Sequence, residues 1–313
     1  MVAEPAFVVP ATVDEAVAAL GAEDAVALAG GTSIGLLVGQ GLLAPTSLVW
    51  LGRIPELGGI TRAGDDLVIG AGVTLWDLAA HPDVRRHLPA VADAAAVVGN
   101  ARVRAAATVG GALAHADPRQ DLPPALLAHD ARVEVAGPAG RRHLAVDDLV
   151  TGFMSTSLAT DDVVVAVTVP IVAGRRSRYR RYTPGSADDY PTVAVAATVT
   201  VGDETVRAAR VAVGGAGPRA FLVPEADALV GFEVAGAGGG GRAGGGGRAG
   251  GGGGQAAADA LGAVVVAEVA AAAADRAQPV DDRLGSALYK RRMVAVWVRR
   301  VLGECLAAPD PAG

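Results

Sequence analysis

The stretch Ala107–Leu122, ATVGGALAHADPRQDL, carries Gly110-Gly111 and, close behind them, His115, Asp117 and Asp121. Paired glycines leave backbone N–H groups open and let a ligand approach the main chain closely. Carboxylates placed downstream accept hydrogen bonds from hydroxyls on the same ligand. A second pair, Gly30-Gly31, lies in Ala29–Gly35 (AGGTSIG), directly after the apolar run Ala25–Leu28. Two such loops suit a grip on one large, phosphate-containing cofactor.

The rest of the composition narrows the chemistry. A chain of 313 residues is long enough for two or three domains and a substantial core. Its net charge of −6 argues against nucleic acid as a partner. Lys290 is the only lysine, which excludes a P-loop, where a lysine must stand beside the glycines. Together with the glycine pairs, this suggests phosphates held by main-chain N–H groups rather than by a cation. Cys305 is the only cysteine, so the chain forms no internal disulfide, iron–sulfur site or Cys-based zinc site. The opening MVAEPAFVVP lacks the basic start and long apolar core of a signal peptide, and no apolar run reaches membrane-spanning length. A cytoplasmic protein without a membrane span is the expectation.

In chain order, Phe7–Val9, Ala25–Leu28 and Ser47–Leu51 read as strands, and Thr12-Val13-Asp14-Glu15 as a capping box opening a helix, giving β-α-β-α-β. Gly58–Thr61 and Leu67–Ala71 read as a hairpin around Ala63–Asp66. Thr74 caps a short helix, and Pro89–Val98 forms another that ends at Gly99-Asn100. Arg132–Val135, Arg141–Val146 and Asp162–Val169 are strands of a second lobe, with a boundary between Pro170 and Ser177. Tyr179–Thr183, Thr192–Val201 and Val206–Val213 follow as three further strands, and Pro224–Val230 starts a helical region. The glycine tract 235–254 cannot bury enough apolar surface to offset its ordering entropy and is expected to be a flexible insertion. Its two arginines are too little charge for RNA. Ser286–Leu306 closes as a helix whose apolar stripe includes Val294, Val298, Val301 and Cys305, making the thiol a packed group.

Three other motifs fail on context. Neither glycine pair has G-x-G-x-x-G spacing or the acidic partner of a Rossmann unit. Gly31-Thr32-Ser33-Ile34-Gly35 fits a nucleophile elbow, but only two short strands precede Ser33 and no oxyanion stretch is present. His115, Asp117 and Asp121 have a ligand-like spacing, yet such a trio reads better as a hydrogen-bonding loop than as a metal site.

A family resemblance then emerges from several motifs in order. Gly99-Asn100-Ala101-Arg102-Val103-Arg104, Ala107-Thr108-Val109-Gly110-Gly111 and Ala114-His115-Ala116-Asp117-Pro118 closely resemble the FAD-binding medium subunit of molybdenum hydroxylases. Ala29–Ser33, Leu51–Leu57, Gly214–Arg219 and Gly285-Ser286 running into Tyr289–Arg292 match in the same order. The resemblance covers nearly the whole chain except the glycine tract.

It implies an α+β chain: a two-lobed FAD-binding domain of the vanillyl-alcohol-oxidase (PCMH) type over 1–172, with lobes 1–55 and 56–172. A smaller domain over 176–308, a three-stranded antiparallel sheet plus helices, carries the insertion 235–254. It implies FAD contacts at Ala29, Gly30, Gly31, Thr32, Ser33 and Ile34 in the first loop, and at Thr108, Gly110, Gly111, His115, Asp117 and Asp121 in the second. Arg181 stands at or next to a position where relatives often carry lysine, and Asp189 and Tyr190 lie where relatives approach the isoalloxazine. Departures include Ala112 where relatives commonly have Asn, with loss of one hydrogen bond, and Arg102, Ala105 and Trp50 where amides or carboxylates are common.

The implied function is electron transfer without an acid–base residue: electrons from [2Fe-2S] clusters reach FAD and leave to a quinone, NAD or oxygen. The molybdopterin cofactor and clusters would belong to a large and a small partner subunit, in a dimer of heterotrimers. Two alternatives stay open at this point, a stand-alone flavin oxidase of the same superfold and a scaffold that has lost the cofactor.

Overall fold

A computed structural model describes residues 4–234 and 252–307 of the chain. The expected glycine insertion lies mostly outside the described residues. Its last three residues, Gly252–Gly254, belong instead to the first turn of a helix, where the Ala-rich sequence behind them favours continuation.

Strands β1 (Ala6–Val8), β2 (Ala25–Leu28) and β3 (Ser47–Trp50), with helices α1 (Val13–Leu20) and α2 (Ile34–Gly39), make up the first lobe. Its sheet is parallel in the order β1-β3-β2. Thr12 caps α1, its Oγ1 accepting from the Glu15 N–H at 3.1 Å. The Glu15 carboxylate reaches one residue further back than in a standard box, accepting from the Ala11 N–H at 2.7 Å.

The second lobe begins with the hairpin β4 (Ile60–Ala63) and β5 (Asp66–Gly70), followed by α3 (Leu75–Ala80), α4 (Pro82–His87), α5 (Pro89–Ala96), α6 (Ala101–Ala106), α7 (Val109–His115) and α8 (Leu122–Ala128). It continues through β6 (Arg132–Gly137), β7 (Gly140–Ala145), α9 (Val146–Leu149), β8 (Val150–Gly152), β9 (Ser155–Thr156) and β10 (Val163–Pro170). Five strands pair antiparallel in the order β4-β5-β10-β6-β7. Central β10 is buried on both faces, which explains its unbroken apolar run. Val163 and Val165 enter the core of the first lobe, whereas Val164, Val167 and Val169 enter the core beneath the helices. A register shift between Val164 and Ala166 resets the alternation, so one bulged strand serves two cores.

Strands β11 (Arg175–Tyr182), β12 (Val193–Gly202), β13 (Thr205–Gly214) and β14 (Phe221–Leu222) form an antiparallel sheet, followed by α10 (Gly252–Arg276) and α11 (Ala287–Ala307). The sheet therefore has a fourth, two-residue strand beyond the three read from sequence. Val193, Val195, Ala197 and Val199 pack with α11 residues Val294, Val298 and Leu302. On the opposite face Ala194, Ala196 and Tyr179 share a core with Leu122 and Leu126 of the second lobe. Among the described residues no helix is long and apolar enough to cross a membrane.

Candidate functional site

Strand β2 delivers the first glycine loop directly to the start of α2. Gly31 has φ +70°, which a side chain would strain. Gly30 lies so close to α6 that a Cβ on it would sit 1.7 Å from the Ala106 carbonyl oxygen. Among the described residues no acceptor pairs with the main-chain N–H groups of Gly30, Gly31, Thr32 or Ser33. This loop keeps the open amides that the sequence reading asked of it.

The second loop is built differently. The Gly110 N–H donates to the Ala71 carbonyl at 2.8 Å, and the Val109 N–H to Val73 at 3.0 Å. Thr108 is the N-cap of α7, its Oγ1 accepting from the Gly111 N–H at 3.2 Å. The glycines here give closeness rather than free donors, because a Cβ on Gly110 would lie 2.7 Å from that of Ala71. Gly111 remains at the surface of the cleft, where a Cβ would meet only Thr108 Oγ1, at 2.9 Å.

Between the two loops lies a cavity of about 1080 Å³, slightly above the 300–1,000 Å³ typical of ligand pockets. All the sequence-derived candidates line it except Asp117. Asp117 instead organises its own turn, its Oδ1 accepting from the Arg119 N–H at 2.9 Å. The wall also includes Trp50, Asn100, Gln120, Thr156 and Asp162, which were not singled out as binding residues by sequence. Asn100 caps α6 through bonds from the Arg102 and Val103 N–H groups. The Arg142 guanidinium holds the Asp162 carboxyl below its ordinary range. Trp50 stacks on Phe7 with ring centres 6.2 Å apart.

Asp121 is buried, and its partners come from β11. The Tyr179 hydroxyl donates to Oδ1 at 2.5 Å, and Arg181 Nη1 lies 3.2 Å from Oδ2. Burial pushes the Asp121 carboxyl upward, opposed by the Arg181 charge and the Tyr179 bond. Burial and the Asp121 carboxylate together push the Tyr179 phenol well above its usual range. Arg181 also donates to the Ala187 carbonyl, tying the second-lobe loop to the 183–190 segment that carries Asp189 and Tyr190. Asp189 Oδ2 accepts from the Ser186 N–H at 3.1 Å. Tyr190 is half exposed, with the Arg119 guanidinium 5.1 Å from its ring centre.

FAD fits this arrangement. The volume accommodates a dinucleotide, and the amides of 30–33, unpaired among the described residues, offer donors to a pyrophosphate.

Comparison with known proteins points the same way. A family described as the FAD binding domain in molybdopterin dehydrogenase matches residues 3–172, and the CO dehydrogenase flavoprotein C-terminal domain matches 178–234. The carbon monoxide dehydrogenase medium chain of Hydrogenophaga pseudoflava is 32% identical over 304 residues, 95% of this chain and 96% of that one. The nicotine 6-hydroxylase medium subunit of Paenarthrobacter nicotinovorans is 34% identical over 232 residues, 72% of this chain and 80% of that one. A solved carbon monoxide dehydrogenase structure from Hydrogenophaga pseudoflava superimposes with a TM-score of 0.84 at 31% identity, covering 98% of this chain and 99% of that chain.

Proposed function

The chain belongs to the FAD-binding subunits of molybdopterin dehydrogenases, and we propose that it is the electron-transfer flavoprotein subunit of a molybdenum hydroxylase complex. In this reading it works between the [2Fe-2S] clusters of a small partner subunit and an external acceptor, a quinone, NAD or oxygen. A large subunit carries the molybdopterin cofactor, and the assembly is a dimer of heterotrimers. FAD, when bound, supplies a redox centre that takes up and releases electrons.

The residues of the chain itself have a holding task. The N–H groups of Gly30, Gly31, Thr32 and Ser33 take the pyrophosphate, since Arg181 on the cavity wall is already engaged by Asp121 and the Ala187 carbonyl. Gly30 and Gly110 keep the two loops and the β5 end at contact distance. Thr108 fixes the start of α7, and Gly111 leaves room beside it. Arg181, held by Asp121, orients the 183–190 loop so that Asp189 and Tyr190 border the isoalloxazine. Apolar lining from Ile34, Leu37 and Leu75 excludes water. We assign these tasks to an FAD-binding unit over 1–172 and to a smaller unit over 176–308.

The observation that carries the reading is the row of amides at 30–33, unpaired among the described residues, on the wall of a dinucleotide-sized cavity. Affinity purification of the tagged full chain from its own cells tests the assembly. The expected result is co-purification with a molybdenum-containing large chain and a cysteine-rich iron–sulfur chain. A chain that purifies alone, with FAD bound and alcohol oxidase activity of its own, contradicts it.

A further inference from the structure

The cavity wall is uneven in charge. Asp121, Asp162, Arg181, Asp188 and Asp189 come from the second lobe and the small unit, whereas every lining residue of the first lobe is uncharged. The largest side chain on that uncharged side is Trp50, at the end of β3. Alternation along the strand sends Val49 into the core of the lobe, so Trp50 lies on the opposite face of the sheet. There its ring stacks on Phe7 and lies over Gly52, where a Cβ would come within 2.5 Å of the indole. The indole is braced by both neighbours yet keeps part of its surface open, and it lines the cavity. In register Trp50 pairs with Leu28, two residues before Gly30. That puts it roughly 7 Å of strand and one strand spacing, about 5 Å, from the glycine loop. Tyr190, the other aromatic side chain on the wall, belongs to the charged side.

We propose that Trp50 is the stacking platform for the purine of the bound dinucleotide, and the residue by which this chain favours FAD over FMN. This rests on the FAD reading above. A pyrophosphate seated on the amides of 30–33 has one ring system to either side of it. With the isoalloxazine bordered by Asp189 and Tyr190, the purine falls to the uncharged side, one ribose away from the glycine loop. A neutral purine with a broad π-face suits a wall of Val26, Leu37, Leu43 and an indole, which supplies stacking and leaves no charge to be desolvated. Phe7 and Gly52 then have the task of holding the ring in place before the ligand arrives, so that little is lost in ordering it.

Titration of the FAD-free full chain with FAD, FMN and ADP tests this. The chain has three tryptophans, Trp50, Trp76 and Trp297. ADP, which lacks a flavin, should quench tryptophan fluorescence in the wild-type chain and in W76F/W297F, where Trp50 is the sole emitter, but not in W50F. Removing the platform in W50L should raise the Kd for FAD and for ADP about 5- to 150-fold, as for a base that loses its aromatic partner. The Kd for FMN, which has the flavin and a phosphate but no purine, should stay within twofold. FMN binding also shows that the variant is folded, and W50F, which keeps a ring, should recover most of the FAD affinity. An FAD affinity of W50L within twofold of wild type overturns the proposal. Equal losses for FAD and FMN overturn it too, since they mark a structural role for the indole. So does ADP that displaces FAD without changing the fluorescence of Trp50. A wild-type chain that takes up no FAD removes the reading beneath it.

Discussion

Gly30→Ala is the substitution for which the structure predicts the sharpest effect. The added methyl would lie 1.7 Å from the Ala106 oxygen and 2.5 Å from its carbonyl carbon. Both are backbone atoms at the end of α6, with no flexible side chain to yield. Reaching even 3.0 Å requires the loops to part by at least about 1.3 Å, the difference between 3.0 and 1.7 Å. Overpacking of this kind costs about 1–3 kcal/mol of stability, several degrees in Tm. The same displacement misaligns the donors at 30–33. Losing two hydrogen bonds to a charged group, at about 1.5–3 kcal/mol each, weakens FAD binding at least about 100-fold. Gly35→Ala is the control in the same segment, because nothing lies within 4 Å of its Cβ position. It replaces a glycine inside α2 and should raise stability by up to about 1 kcal/mol. Differential scanning fluorimetry and flavin-quenching titration of the FAD-free chain read both effects. G30A binding FAD as tightly as G35A would mean that the close approach of the two loops has no bearing on the cofactor.

Other outcomes follow from single contacts. Tyr179→Phe leaves the buried ring in place but removes the donor to Asp121, and should cost about 1.5–3 kcal/mol in denaturant unfolding; an unchanged midpoint would show the bond to be without net effect. His129 is fully buried, with Nδ1 2.8 Å from the Ala125 carbonyl, and burial lowers its pKa to about 4. Between that value and about 6.5 the unfolded chain binds the extra proton, so this contribution is complete above pH 6.5 and fades as the pH falls towards 4. It amounts to about 3 kcal/mol, and His129→Leu should flatten the slope of unfolding free energy over that window; an identical slope excludes His129 as its source. Cys305 is buried and its thiol is pushed up to about 12, so it should resist a thiol reagent at pH 8 until denaturant is added. Stoichiometric labelling of the native chain would contradict this.

The elements legible in the sequence were those whose signal is local. The capping boxes at Thr12 and Thr74, the apolar runs feeding Gly30-Gly31, and the stripe ending in Cys305 all correspond to structure at those positions. Helix α6 escaped because Arg102 and Arg104 interrupt any apolar period, although Asn100 before them is a good N-cap. Strand β14 escaped because two residues between prolines carry no alternation. The same division runs through the site. Both glycine pairs were visible, but the partner that occupies the Gly110 amide, Ala71, is 39 positions away (110 minus 71) and gives no local sign. Asp121 looked like a free hydroxyl acceptor until Tyr179 and Arg181, brought in by β11, proved to hold it.

FAD is the occupant that this cavity is built to hold. The direct measurement is the visible absorption spectrum of the purified full chain, with chromatography of what it releases on denaturation. The purified protein should be yellow and should yield intact FAD at one equivalent per chain. A chain that is colourless as purified and stays so after incubation with excess FAD would contradict it.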